Sequence, residues 1–470
     1  MQGEGVFPYD LIKKHKKVII YGMGNYGKSY IEQIEKTQYC QIVAVSDINN
    51  NVSCNGYNYI EPSYIPFVVF DYIIIAIKSI ELSTEVYWKF VRMGIEEKHI
   101  VSEYMNEQHF FPCFIPSDIT MLNNIDMPIE IAITLDGGLG DHIIALALYR
   151  KLIELAPNCI VDIYGKKDFI KVTYGNERNV RYIYEFSMEV GEINRFNMKY
   201  DLALRWLFFI KVEFANYFKL KTRYPMLFKK IIATKNSSLI SDLKYGLKSY
   251  YLVHQRAYMM RYDRYQFLGL GHVWDISWKS SRLLLNQAYL NEYKKLNLGK
   301  YITLNCGASI VPGHEGKKQT KVWPIEYFRF LVKEFKKLYP NIKIVQLGDA
   351  NATRIDDADE IMISVNLELV KYILAKSMLH VDCEGGLVHL ATQLGVKCVV
   401  LFGPTPVWFY QYINNINIVS DDCGNCCHIK ADWYTDCFLG DVNPRCMRSI
   451  KPGMVLERIS HFIENYIYDK

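Results

Sequence analysis

Much that would direct a chain elsewhere is missing here. The opening stretch, MQGEGVFPYDLIKKHKK, contains no apolar core of the signal-peptide kind, so no cleaved leader is expected. Long hydrophobic runs are absent too. The most apolar segments, FDYIIIAI and VKCVVLFG, fall far short of the roughly 20 residues that cross a bilayer. They read instead as buried strands of a parallel sheet. There is no short-period repeat, no long low-complexity tract and no RNA- or DNA-binding signature. Net charge is only +5 over 470 residues, which suits anionic small molecules or a membrane surface and does not call for nucleic acid. With 50% apolar and 22% charged residues, the chain is globular rather than disordered. The expected location is the cytoplasm, with room for peripheral contact at the inner membrane.

The length exceeds one ordinary core, so two or three domains are expected. Three blocks of alternating strands and amphipathic helices can be read. The first, within residues 1–115, places KVIIYG and QIVAVSD as strands around the helix GKSYIEQIEKT, with YIIIAI as a later strand. A connector containing FFPCFIPSD and NNIDMP follows. The second block, residues 125–290, opens with the strand IEIAITL, a helix and the strand IVDIYG; its later part, Tyr200 to Asp275, reads as helical and dense in aromatic and basic residues. The third, residues 298–455, carries the strands KYITLN, KIVQLGD, LHVDC and KCVVLFG, separated by helices. A terminal helix covers 456–470. The βα order predicts an α/β fold with doubly wound sheets and ligands at the carboxyl ends of strands.

Within ITLDGGLGDHIIALALYRKL, the glycines at 137, 138 and 140 permit a tight turn and close approach of a ligand. Asp141 then stands at a helix start, where the dipole favours a carboxylate. It is either a cap or a general base at a cleft mouth. In TKVWPIEYF, Lys321 precedes Trp323 and a helix-opening proline, and can reach an anion held in the cleft. HVDCEGGLVHLATQLG repeats the strand, glycine turn and helix pattern. There Gly385, Gly386 and Leu387 would offer backbone amides to a diphosphate, and Glu384 would accept from sugar hydroxyls or serve as a cap. His389 reads as a packing residue. Thr405, in FGPTP, would contact phosphate or cap the turn.

GGLGDHIIALALYRKL, KVWPIEYF and CEGGLVHLATQLGVKCVVLFGPTP together resemble the family 9 glycosyltransferases, the ADP-heptose heptosyltransferases of GT-B fold, over roughly Ile129 to Arg458. The resemblance implies two Rossmann-like lobes, transfer with inversion and no essential divalent metal. It makes Asp141 the base that activates an acceptor hydroxyl, Lys321 the donor phosphate ligand and the Gly385–Gly386 turn the diphosphate cradle. The family motif has Asp where this chain has Glu384. A carboxylate moved by about one methylene means a nucleotide-diphosphate sugar donor that need not be the usual heptose. The acceptor is a saccharide, a lipid-linked saccharide or a protein.

Twelve cysteines in a reducing compartment argue against a disulfide scaffold. Cys423, Cys426, Cys427, Cys437 and Cys446 crowd together near the end, close to a four-thiolate pattern for zinc or iron, and the choice between Cys426 and Cys427 is open. The alternative is a set of buried thiols. Comparable cysteines occur in part of the heptosyltransferase family, including autotransporter heptosyltransferases with bound iron. That likeness implies a structural metal on Cys423, Cys426, Cys437 and Cys446.

The first block carries G-x-G-x-x-G as Gly22, Gly24 and Gly27, with Asp47 ending the next strand where an acid meets a ribose. It resembles the small Rossmann domains of surface-glycan enzymes, and either an NAD-type dinucleotide or a docking role fits. RWLFFIKVEFANYFKLKTRYPMLFKK, with Arg205, Lys211, Lys219, Lys221, Arg223, Lys229 and Lys230, is either an ordinary helical lobe or a membrane-facing acceptor patch. The expected activity is glycosyl transfer. The rivals are an NAD-dependent sugar-modifying enzyme, opposed by the lack of a Tyr–Lys pair, and a non-catalytic assembly protein.

Overall fold

The computed structural model describes residues 7–9, 11–49, 56–102, 128–185, 200–243, 247–307 and 319–468. The connector expected at 110–127 lies outside them. The chain divides into two compact units, one of residues 1–129, 189–202 and 214–223, the other of residues 130–188, 203–213 and 224–470.

The first unit holds a parallel sheet of β1 (Lys17–Tyr21), β2 (Gln41–Ser46), β3 (Tyr72–Ile75) and β4 (Ile100–Ser102), in the order β2-β1-β3-β4. Side chains alternate across a strand, and β1 is apolar on both faces. Val18 and Ile20 join a core with Tyr30, Ile31 and Ile34 of the helix Asn25–Thr37. Ile19 and Tyr21 join a second core with Tyr87 and Phe90 of the helix Ile80–Arg92. Both faces are therefore covered by helices, as a parallel sheet requires.

The second unit is built on two sheets. One contains β5 (Glu130–Leu135), β6 (Ile160–Gly165), β7 (Val180–Glu185), β8 (Leu202–Trp206) and β9 (Ile210–Ala215), in the order β7-β6-β5-β8-β9. The other contains β10 (Tyr301–Asn305), β11 (Lys343–Gly348), β12 (Glu360–Ile363), β13 (His380–Cys383), β14 (Cys398–Phe402) and β15 (Ile416–Val419). Its order is β12-β11-β10-β13-β14-β15, and every neighbouring pair is parallel. This is a doubly wound α/β arrangement in two lobes. In each sheet the strand order reverses beside its first strand, between β5 and β8 and between β10 and β13. Such reversals open crevices at the carboxyl ends of the strands.

The helix Ile325–Leu338 buries Phe328, Leu331, Val332 and Phe335, at the three- and four-residue spacing of one helical face. Against it and the sheet pack Trp323 and, from the closing helix Pro452–Tyr468, Val455, Ile459 and Ile463. Truncating a fully buried phenylalanine such as Phe335 would cost about 3–5 kcal/mol.

The expectation of a helical segment from Tyr200 onward needs correction, because residues 202–206 and 210–215 are strands. The first is buried at every position and so shows no alternation, and the interleaved bases disguise both. Several of those bases are tied inward. Arg205 pairs with the buried Asp136, Lys219 with Asp201 at 2.8 Å, and Lys230 donates to the carbonyl of Val273 at 2.5 Å. Lys221, Arg223 and Lys229 are exposed. No helix among the described residues is long and apolar enough to cross a membrane.

Candidate active site

The crevice of the first lobe begins where β5 ends. Gly137 has φ +94°, and a side chain there would run into the carboxylate of Asp141 and into Leu207. Glycine is thus required by both conformation and space. Asp141 lies in the first turn of the helix Leu139–Leu155. Its Oδ2 accepts from the Gly138 N–H at 3.0 Å, so the capping role is realised. Its Oδ1 accepts from Arg264 Nη2 at 3.2 Å, and the side chain is still 24% exposed. Arg264 is itself buried. It donates to the carbonyls of Phe208 and Leu207 and lies 4.7 Å over the Phe208 ring. The strand ends of the lobe therefore fix a guanidinium, and the guanidinium fixes the acid.

In the second lobe, β13 delivers Glu384 to the same level. It is buried, its N–H donates to Leu401, and its carboxylate lies 3.6 Å from both Lys321 Nζ and His389 Nε2. Burial alone would raise its pKa, but Lys321 and His389 overrule that and hold it at about 2. Burial opposes the charge on Lys321 as well, and Glu384 more than offsets it, so the lysine is raised. The pair is ionised at neutral pH. Lys321 also stands 5.5 Å over the Tyr434 ring. Gly386 opens the helix Gly386–Gln393, Gly385 precedes it, and half-buried Leu387 lies in its first turn; no side chain caps it. Thr405 is buried after β14, and its hydroxyl has no hydrogen-bond partner among the described residues.

The two helix starts meet. A Cβ on Gly140 would lie 2.5 Å from the ring of His389, and a Cβ on Gly386 would lie 3.0 Å from Leu139 Cβ and 3.5 Å from the Gly140 nitrogen. Both glycine turns thus let two positively polarised helix termini abut, which is a favourable setting for an anion. His389 does more than pack. Its Nδ1 bonds Tyr412 Oη at 2.7 Å, Tyr412 Oη bonds Tyr265 Oη at 3.0 Å, and Gln393 donates to Tyr265 at 3.2 Å.

Beside this seam sit residues that the sequence reading passed over. His428 is in electrostatic reach of both Asp141 and Lys321, and His254 of Arg264 and Glu384. Neither stands in a recognisable pattern. Arg264 did have a readable signal: Asp263 and Gln266 form a capping box that puts Arg264 at the first helical position.

The cysteine loop resolves into two groups. Cys446 is pushed up to about 12, first by burial and then by Cys423 and Cys426. Cys426 is raised by burial and by Cys437 and Cys423. Cys427 turns away and places Sγ 3.8 Å from His254 Nδ1.

In the first unit, Gly22 has φ +100° and a side chain at Gly27 would overlap the Gly22 carbonyl, so the tight turn anticipated with Gly24 is built. Asp47 spends its carboxylate locally, accepting from the Met23 N–H at 2.6 Å and the Asn49 N–H at 2.9 Å.

The paired doubly wound lobes thus bring an acid on one side and a lysine–glutamate pair at a helix start on the other to one seam. Residues 287–432 match the model for glycosyltransferase family 9 (heptosyltransferase). Residues 14–101 match the model described as C2185-like, N-terminal. No curated protein matches the chain. Among solved structures it is similar to a family 9 glycosyltransferase from Veillonella parvula DSM 2008, with 16% identity, 72% of this chain and 98% of that chain covered, and a TM-score of 0.48. It is similar also to E. coli ADP-heptose LPS heptosyltransferase II, with 16% identity, 72% and 99% covered, and a TM-score of 0.45. A third is the iron-containing dodecameric glycosyltransferase TibC from enterotoxigenic E. coli H10407, with 12% identity, 72% and 77% covered, and a TM-score of 0.45.

Proposed function

We propose that the chain transfers a sugar, with inversion, from a nucleoside-diphosphate sugar of the ADP-heptose type to a hydroxyl of a glycan, lipid-linked saccharide or protein. Asp141 takes the proton of the acceptor hydroxyl while that oxygen bonds to the anomeric carbon. The bond from the anomeric carbon to the diphosphate oxygen breaks, and its electron pair leaves with the diphosphate. Lys321 and the amides at Gly385, Gly386 and Leu387 stabilise the charge that develops there, with the Thr405 hydroxyl as a further donor. Glu384, held ionised by Lys321, accepts from the donor sugar. Arg264 keeps the base oriented. Fixed geometry is the gain.

The observation that carries this reading is the approach of Asp141 and the Lys321–Glu384 pair to one seam, where two helix starts touch. Cys423, Cys426, Cys437 and Cys446 would hold a structural zinc or iron that staples the loop, although among the described residues no three of their thiols lie within 4.8 Å of one another, so binding would have to draw them together. In the first unit the occupied Met23 N–H and Asp47 carboxylate favour a docking role over dinucleotide binding. The test is Asp141→Asn. Transfer should fall at least about 100-fold while nucleotide binding is retained, and normal turnover by the variant would remove Asp141 as the base.

A further inference from the structure

The strongest unassigned feature is a group of three soft and borderline donors, two of them buried and His428 half-buried. One ligand atom each of His254, Cys427 and His428 lies within 4.8 Å of the others. They come from the helix Leu247–Met260 and from the loop after β15, segments far apart in sequence. The loop backbone is shaped to bring them together. His428 adopts φ +62° and Asn425 φ +59°, left-handed conformations unusual outside glycine, and the Cys427 N–H is anchored to the Pro404 carbonyl at 3.0 Å. Strain of this kind persists where the surroundings enforce it, and it concentrates at functional sites.

We propose that His254, Cys427 and His428 form a binding site for a thiophilic divalent cation, zinc above all, separate from the thiols of Cys423, Cys426, Cys437 and Cys446. Each imidazole in its neutral form has one lone pair to give, and the ligand atoms already lie close together. The tautomer of His254 that suits a metal can be held from behind. Its Nε2 lies 3.2 Å from Tyr410 Oη, and an N–H donated there leaves the Nδ1 lone pair facing Cys427, as second-shell partners of metal-bound histidines commonly do. Phe208 and Phe409 pack edge-on against the His254 ring and Trp433 against His428, giving the dry surround that strengthens such a site. Two imidazoles and one thiolate are a zinc-type set with a fourth position left over. Binding replaces the thiol proton of Cys427: one S–H bond breaks, one sulfur–metal bond forms and one proton is released to solvent. The site is not assigned a step in sugar transfer, and it stands whether or not the transfer reading does.

The experiment uses the full chain, stripped with a chelator and titrated with Zn²⁺ and with Co²⁺. In the Cys423→Ser/Cys446→Ser background the chain should still bind one equivalent, with a cobalt spectrum of a single thiolate ligand. Adding Cys427→Ser or His428→Asn should abolish it. A folded Cys423→Ser/Cys446→Ser chain that binds no metal overturns the proposal, and the 3.8 Å approach is then a thiol–imidazole hydrogen bond only. Should that background fail to fold, X-ray absorption of the zinc-loaded wild-type chain decides. Nitrogen ligands beside sulfur support the site, and sulfur ligands alone overturn it.

Discussion

Gly140→Ala is the sharpest test of the seam between the two lobes. The added methyl would lie 2.5 Å from His389 Cδ2, 3.0 Å from Nε2 and 3.4 Å from Cγ, against the 3.4 Å at which ordinary contact begins, so one side must retreat by about 0.9 Å. The imidazole has little freedom to do so. It is buried, bonded to Tyr412 at 2.7 Å on one nitrogen and faced by Glu384 at 3.6 Å on the other. The helix starts must therefore separate. Overpacking of this kind costs roughly 1–3 kcal/mol, which at about 2 °C per kcal/mol for a unit this large lowers the melting temperature by roughly 2–6 °C. The same displacement carries Asp141 away from the donor side, and a misplacement near 1 Å costs about 100-fold in rate. Differential scanning calorimetry and initial-rate measurement read both effects. Gly138→Ala is the control, because its methyl would meet nothing nearer than Asp141 Oδ2 at 4.0 Å. If Gly140→Ala melts and turns over like the wild type while Gly138→Ala does not, the seam as described is wrong.

Arg264→Ala removes the donor to Asp141 and strands the carbonyls of Leu207 and Phe208 in a buried setting, so a loss of about 2–3 kcal/mol in stability is expected by chemical denaturation. Arg264→Lys should keep the charge yet recover little activity, because an ammonium cannot reproduce the three-way fork. Acid titration of melting temperature probes the Lys321–Glu384 pair. A carboxyl held at about 2 stabilises fully above its ordinary value near 4.5 and loses that contribution as pH falls toward 2. The gap between wild type and Glu384→Gln should therefore be constant above about pH 5 and narrow below it; a gap that does not change with pH would show that the pair is not ionised.

The strands apolar on both faces, such as KVIIY and CVVLF, were legible because a doubly covered parallel strand has no polar face to hide it. The edge strands β12 and β15 are four residues each and only partly buried, and nothing in EIMI or INIV separates them from loop. Strands β8 and β9 were obscured because Arg205 points inward to Asp136, where pattern reasoning expects an apolar side chain. At the site, Asp141, Glu384 and Gly386 follow from local rules, since a glycine turn before a helix encodes its own geometry. Arg264 meets Asp141 across 123 residues and His254 meets Tyr410 across 156, and no window of sequence holds both members of such pairs. The approach of Cys427 to His254 likewise joins residues 173 apart.

With the backbone at Gly140 pressed against His389 and that at Gly386 against Leu139, the floor of the crevice has no slack. Sliding one half past the other would drive a peptide group into an imidazole. Any opening and shutting of this crevice must pivot there, as a jaw does on its joint, and amplitude grows with distance from that fulcrum.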